Sequence, residues 1–325
     1  MPVDQPELRI SVDDMVFAGI VSLEIDSVGH FAADRFRVVF AVGATPLLTT
    51  AYFASLGMQT ITIEVAVRGG GYETLLVGQI DNVKLNILEN TATLVGRDLA
   101  AKMIDAEISE TFANQTASQI ATAIAGRHGL MANVTATQTP VGQYYELDHA
   151  RNALSVNARA TTEWNLLTML ANAESFLLSV IGTTLNFGPW PAVQPIIVTP
   201  LSFIKLSIDS ATALPSGAVV KSWNSRKKIA VTQNDGTGAA TTIIRPNLTQ
   251  GQATDLAKSH LATISQHATI LTGTMPGDVT LTPGMQIVLN GTSSTLDQTY
   301  LVTSVCRNLD GITGFKQAVM GYALN

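Results

Sequence analysis

The sequence predicts a mainly β chain with an α+β insertion: two antiparallel β-barrel domains joined by a mixed α/β domain. Three observations lead there. Apolar residues recur at every second position through most of residues 1–99 and again through much of 200–325, the period of half-buried strands. Turn residues punctuate these runs at short intervals, as in all-β barrels. Between them, over residues 100–199, runs at helical spacing are mixed with short alternating ones.

In order, Leu8, Ile10 and Val12 alternate with polar neighbours, as do Val21, Leu23 and Ile25 with Ser22, Glu24 and Asp26. Phe36, Val38, Phe40 and Val42 continue the series. The stretch from Gly43 to Gly57, with Pro46, reads as a long loop holding one helical turn. Ile61, Ile63, Val65 and Val67 form the next strand, Gly69-Gly70-Gly71 a turn, and Thr74 to Ile80 the return. Val83, Leu85 and Ile87 lead through Glu89-Asn90 into Thr91 to Val95, a hairpin. Six to eight short strands in a hundred residues suit a closed or nearly closed antiparallel barrel, and closure removes edges that would pair with other chains.

After Gly96-Arg97-Asp98 the period changes. Thr116 with Gln119 three residues later forms a capping box, so a helix is expected to Ala125, burying Ala117, Ile120, Ala121 and Ile124 and stopping at Gly126 or Gly129. Tyr144 to Leu154 is polar and reads as irregular. Thr161 to Asn172 is helical, with Glu163 in its first turn and Trp164, Leu167, Leu170 and Ala171 on one face. Phe176 to Ile181 and Thr184 to Phe187 read as a small hairpin, and Gly188-Pro189-Trp190-Pro191 marks the exit.

The last region resumes strands at Phe203–Ile208, Ala218–Trp223 and Ile229–Thr232, with Asn234-Asp235-Gly236 as a turn signal. A helix over about 249–264, capped by Thr249 with Gln252, interrupts them and buries Ala253, Leu256, Ala257, Leu261 and Ile264. Strands follow at Ala268–Thr272, Gln286–Leu289, Tyr300–Cys306 and Phe315–Met320. The expected domains are a first barrel over 1–99, a mixed domain over 100–199, and a second barrel over 200–325 that carries the inserted helix. No short-period repeat occurs, but the two β-rich regions are candidates for a common fold.

Composition narrows the function. The chain has 325 residues, 46% hydrophobic and 14% charged, lean in charge for a soluble monomer, which suggests surface covered by another subunit. A formal charge of −6 argues against a protein whose task is gripping phosphates. One cysteine, Cys306, excludes an internal disulfide framework and a multi-cysteine metal site. The first residues lack the basic and apolar regions of a signal peptide, and no apolar run is long enough to cross a bilayer, so no membrane insertion is expected.

Candidate chemistry is sparse. His260 and His267 lie seven apart, which suits a helix end near solvent better than metal ligation. Cys306 sits in the apolar run LVTSVC and reads as a small buried hydrophobe. Asp98, Asp105, Glu107 and Glu110 cluster around the period change, as a glycosidase would need, but adjacency in sequence does not place two carboxyls across a cleft, and a solvated face is the ordinary reading. No nucleophile elbow, phosphate-binding loop, zinc-protease motif or dinucleotide fingerprint occurs. No catalytic, cofactor-binding or metal residue is therefore expected. The basic cluster KSWNSRKK offers an interaction surface at Lys221, Trp223, Arg226, Lys227 and Lys228. It could hold a phosphate backbone or an acidic patch of a neighbouring subunit, but the ordinary reading is a solvated strand end with Trp223 turned to the core.

Three stretches resemble the late-control D family, the baseplate (tail) hub of contractile-tailed phages, and more distantly the hub part of the type VI secretion spike. They are VGQIDNVKLNILENTATLVGRDLAAKMID (Val77 to Asp105), the helix end IAGRHGL (Ile124 to Leu130), and Pro276 to Tyr322, with its P-G, strand, glycine, Tyr-Leu-Val strand and final strand. Arg307 stands where the family pattern has a histidine. The resemblance implies a non-enzymatic homotrimer in which each subunit supplies two barrels, so that three chains form a ring of six. Implied partners are a tail spike protein, a tail tube or tube-initiator protein and other baseplate proteins, with DNA passing through the channel without specific binding. The implied location is the virion tail baseplate, reached from the host cytoplasm during assembly. Alternatives are the hub of a tail-like bacteriocin or secretion device, a cell-envelope-degrading tail enzyme, and a barrel that binds glycans or single-stranded DNA.

Overall fold

The computed structural model describes residues 6–29, 31–66, 70–108, 112, 115–138, 162–174, 176–189, 193–212, 214–224, 228–246, 248–265 and 268–324. The irregular stretch expected from Tyr144 to Leu154 lies outside the described residues, as do Gly69, Trp190 and Pro191 of the expected turns.

The first part of the chain forms β1 (Glu7–Val12), β2 (Met15–Phe17), β3 (Ile20–Val28), β4 (Arg35–Ala41), β5 (Thr60–Ala66), β6 (Glu73–Asn86) and β7 (Thr91–Asp98). They pair antiparallel in the order β3-β4-β7-β6-β5-β1-β2. Alternation decides which face is buried: β4 hides Phe36, Val38 and Phe40 and leaves Arg35 and Arg37 exposed. A short helix, α1 (Thr50–Ser55), fills the long loop; Thr49 Oγ1 accepts from Tyr52 N at 3.2 Å and Phe53 is fully buried. The Phe17 ring lies 5.4 Å from Phe40 and 6.0 Å from Phe53, centroid to centroid, so the helix caps the open end of the sheet with aromatic surface.

β6 runs unbroken for 14 residues where two strands were expected. The cause is a register shift between Ile80 and Asn82. This bulge moves the inward apolar positions from Leu76 and Ile80 to Val83 and Leu85, which in sequence looks like a break.

The middle part holds α2 (Ala101–Asp105), α3 (Ala117–Arg127), β8 (Met131–Val134), α4 (Glu163–Glu174), β9 (Leu177–Ile181) and β10 (Thr184–Gly188). The strands form a small sheet in the order β8-β10-β9, with β8 parallel to β10. The capping box opens α3 as expected, and Gly129, at φ +69°, follows its end. Ile120 and Ile124 of α3 and Trp164 and Leu167 of α4 meet in one buried cluster with Leu185 and Phe187 of β10. Trp164 Nε1 donates to the Phe31 carbonyl at 3.1 Å, tying this cluster to the first part of the chain.

The last part gives β11 (Ile196–Val198), a 3-10 turn at Pro200–Ser202, β12 (Lys205–Ser210), β13 (Gly217–Asn224), β14 (Ile229–Gly236), β15 (Ala240–Ile244), α5 (Gln250–Ser265), β16 (Thr269–Pro276), β17 (Gln286–Leu289), β18 (Thr299–Asp310) and β19 (Gly314–Ala323). Its main strands run β12-β16-β19-β18, with β17 on the first part of β18 and β11 parallel to β17.

The two β-rich parts are not separate closed barrels. The second half of β18, Ser304–Asp310, pairs antiparallel with β3, so that 13 strands form one sheet. β18 changes partner from β17 to β3 beside a register shift between Val302 and Ser304. Each half nevertheless curls around its own core: Ile10, Phe17, Leu23, Phe40, Ile61 and Leu94 lie in one, and Val198, Leu271, Ile287, Tyr300, Val305 and Val319 in the other. Among the described residues no ladder joins β2 to β3 or β11 to β12, so neither curl is closed by strand pairing.

Between β12 and β16 the chain leaves to build a separate unit and returns beside its exit, with Ala211 N donating to the Ala268 carbonyl at 2.8 Å. In this unit α5 packs on a sheet ordered β14-β13-β15. The half-sheet is therefore continuous in space, and the inserted helix belongs to a unit hung from one hairpin. The turn expected at Asn234-Asp235-Gly236 is strand instead. The chain turns just after it and crosses beneath the start of β13, where a Cβ on Gly236 would meet Ser216 O at 2.2 Å.

Candidate functional site

The acids at the period change are used separately. Arg97 donates through Nε to Asp81 at 2.7 Å and through Nη2 to Asp105 at 2.8 Å, and it holds the Asp105 carboxyl below its ordinary pKa. Glu107 lies on an isolated bridge to Thr162, and Glu110 lies outside the described residues. Asp98 points elsewhere and is buried.

Asp98 sits where the three parts of the chain meet. Its Oδ1 accepts from Ala100 N at 2.9 Å and its Oδ2 from Asp34 N at 3.1 Å, while Asp34 Oδ1 accepts from Val28 N at 2.9 Å. A cavity of about 250 Å³ opens beside them. Ser27 and Asp34 line it from the first part of the chain, Ser179 and Val180 from β9, and Thr282 and Arg307 from the last part. Burial, chiefly, pushes Asp34 up to about 6, against hydrogen bonds from Val28 and Ser27 and the Arg307 charge. Burial and then the neighbouring Asp34 charge push Asp98 up to about 7.

Arg307, 3% exposed, completes the junction. It donates through Nε to the Asp278 carbonyl at 3.0 Å and through Nη2 to the Leu281 carbonyl. Burial lowers its pKa, and the charges of Asp34 and Asp278 oppose that. The acids and the guanidinium thus engage backbone groups of the chain itself: Asp98 ties β7 to the segment before β4, and Arg307 ties β18 to the loop before β17.

A second tie lies in the helical part. Glu163, 2% exposed, opens α4 and accepts from Arg127 Nη1, and its other oxygen meets His128 Nε2, both at the end of α3. An acid at one helix start and bases at another helix end suit both helix dipoles. The R-H of IAGRHGL is thus a packing contact that spacing alone did not reveal.

Cys306 is half-buried on β18, and burial followed by the charges of Asp26 and Glu24 pushes its thiol pKa up. His260 Nε2 is buried, and His267 lies outside the described residues. Among the described residues no group of three or more His, Cys, Asp or Glu could hold a metal ion, and no helix is long and apolar enough to cross a membrane.

The basic cluster lies on the inserted unit. Ala218, Val220 and Ser222 of β13 are buried, the first two against Ala253 and Ala257 of α5. Val219, Lys221 and Trp223 therefore point to the opposite face. Trp223 is 53% exposed and does not turn to the core. Lys221 is exposed and registers with Thr232 of β14 and Ile244 of β15, and Ile244 is 72% exposed. Lys228 is exposed at the start of β14; Arg226 and Lys227 lie outside the described residues.

No family model and no curated protein matches the sequence. Among solved structures, the 43 kDa tail protein of prophage MuSo2 from Shewanella oneidensis is similar over 98% of both chains, with 16% identity and a TM-score of 0.74. A tail protein from Neisseria meningitidis MC58 is similar over 98% of this chain and 96% of its own, with 15% identity and a TM-score of 0.72. The E. coli c3393 protein, described as a component of the type VI secretion system with structural similarity to the T4 tail proteins gp27 and gp5, matches over 97% of this chain and 77% of its own, with 13% identity and a TM-score of 0.57. The fold is the one these proteins share.

Proposed function

From a fold shared end to end with phage tail proteins, we infer that this chain is the non-enzymatic structural hub of a contractile tail baseplate. The observation that carries the reading is the paired architecture: two curled half-sheets with separate cores, fused through the β3–β18 ladder. Three such chains present six half-sheets, so a trimer can meet a six-fold tube on one side and a three-fold spike on the other. Residues 1–99 and 200–325 then form the ring, and 100–199 is the domain hung from it. Tube or tube-initiator, spike and other baseplate proteins are its partners, and DNA passes through the channel. A chain of formal charge −6 suits a conduit that does not grip phosphate.

The β3–β18 ladder, extended by Gly29 N donating to the Thr303 carbonyl at 2.7 Å, supports this reading, because a ring subunit must hold its two half-sheets at a fixed angle. The likeness to a type VI secretion component favours, as second reading, the same hub in a secretion device or tail-like bacteriocin.

Light scattering on the purified chain, with electron microscopy of the same sample, tests the function. A trimeric annular particle is expected. A strictly monomeric protein at high concentration overturns the reading.

A further inference from the structure

The inserted unit has two layers, a helix and a sheet, and the helix covers the sheet on one face only. Helix α5 covers one face of the β14-β13-β15 sheet, and the other face carries Val219, Lys221, Trp223 and Ile244 outward. A small sheet that exposes Trp and Ile offers the anchors of an interface centre, where apolar surface is excluded from water, and Lys221 beside them offers a charge for pairing.

Charge argues for what covers it. Residues 211–268, which include this unit, carry 6 basic and 2 acidic side chains, whereas residues 1–99 carry 6 basic and 12 acidic. The inserted unit is thus complementary in charge to the first part of the chain. Within 1–99, the β6–β7 hairpin tip presents the matching chemistry: Ile87 is 63% and Leu88 95% exposed, followed by exposed Glu89. The turn is closed by Asn86 Oδ1 accepting from Glu89 N at 3.3 Å, which leaves the Glu89 carboxylate outside the turn's own bond. The β18–β19 tip, with Ile312 97% exposed, differs in that its Asp310 carboxylate accepts from Ile312 N at 2.7 Å and Thr313 N at 2.6 Å within the turn.

We propose that the Trp223–Ile244 face of the inserted sheet is the docking surface for the Ile87-Leu88-Glu89 hairpin tip of a second copy of this chain. Leu88 and Ile87 cover Trp223 and Ile244, and Glu89 meets Lys221 or Lys228. The contact is heterologous, joining different patches of successive subunits, and such contacts form a ring when the rotation between subunits closes. The proposal rests on the trimeric hub reading and names the surface that builds it.

Light scattering of the full chain across a concentration series tests it. Trp223→Ser and Leu88→Ser are each expected to raise the assembly dissociation constant at least tenfold, with circular dichroism and the unfolding midpoint unchanged. Lys221→Glu and Glu89→Lys are each expected to weaken assembly several-fold, and their combination to return it to within about threefold of wild type. This exchange keeps the test valid should Trp223→Ser fail to fold. A wild-type trimer that all four single variants form equally well overturns the docking surface and leaves the hub standing; a monomeric wild type overturns both. Salt-sensitive binding of an oligothymidylate that is lost in Trp223→Ser, with the trimer intact, assigns the face to nucleic acid and overturns the proposal.

Discussion

Asp98 N donates to the Asp34 carbonyl at 2.9 Å, and Asp34 N donates back to the Asp98 carboxylate at 3.1 Å. This reciprocal pair closes β7 onto the segment before β4 at the point where all three parts of the chain converge. It places the buried Asp98 carboxyl beside the partly buried Asp34 carboxyl, so folding acts on their protonation.

Stability is expected to fall as pH rises from 5 to 8. Both groups are raised in the folded state, to about 6 and about 7, above the ordinary value of 3.8. The folded chain therefore holds protons that the unfolded chain releases, and the contribution is full below 3.8 and lost as pH climbs through the folded values. A tenfold change in proton affinity corresponds to about 1.4 kcal/mol, so the loss across this window is roughly 2–4 kcal/mol. Asp105, Asp297 and Asp310 are lowered and act in the opposite sense, but only as pH falls toward 4 and below. Urea unfolding at pH 5, 6, 7 and 8 measures the slope, and Asp98→Asn is expected to flatten it.

Gly96→Ala is expected to cost more than an ordinary surface substitution, about 3 kcal/mol or more, or to prevent folding. A Cβ there would lie 1.9 Å from the Gln79 carbonyl oxygen and 2.5 Å from the Phe36 ring, and overpacking of this kind strains a core by about 1–3 kcal/mol or more. The unfolding midpoint reads it. An alanine variant of wild-type stability would contradict the close approach of β6, β7 and β4.

Thr116→Ala is expected to destabilise by about 1 kcal/mol, the ordinary loss of an N-cap. Thr116 Oγ1 accepts from Gln119 N at 3.3 Å, and Gln119 Oε1 accepts from Thr116 N at 2.9 Å. Thr116→Ser, which keeps the acceptor, is expected to stay within about 0.5 kcal/mol of wild type.

Cys306 is expected to react slowly with a thiol reagent at pH 7, because burial and the charges of Asp26 and Glu24 disfavour its thiolate. Labelling followed from pH 7 to 10 should accelerate at higher pH than for a free cysteine, and Glu24→Gln should shift the profile downward.

The strand and helix periods belong to the sequence alone. Alternation in β4, the Thr116 capping box and the apolar face of α4 involve neighbours within a few positions, so spacing reveals them. The helix at 250–265 and the strands of the last part other than β11 and β15 were legible for the same reason. Residues that depend on distant partners were not. The bulge at Asp81 switched the parity of β6 and imitated a strand end. β8 and β15, four and five residues long, join their sheets through parallel pairing with β10 and β13, which leaves no hairpin signal in the sequence. Trp223 could face either way on spacing alone, and the packing of α5 on the opposite side of β13 decides it. The union of two expected barrels into one sheet required the second half of β18 to lie on β3, residues separated by almost the whole chain. Short-range periodicity determined the elements; only long-range packing decided how β18 is shared, which face Trp223 presents, and that Asp34, Asp98 and Arg307 meet, because those arrangements depend on burial between segments that no local pattern records.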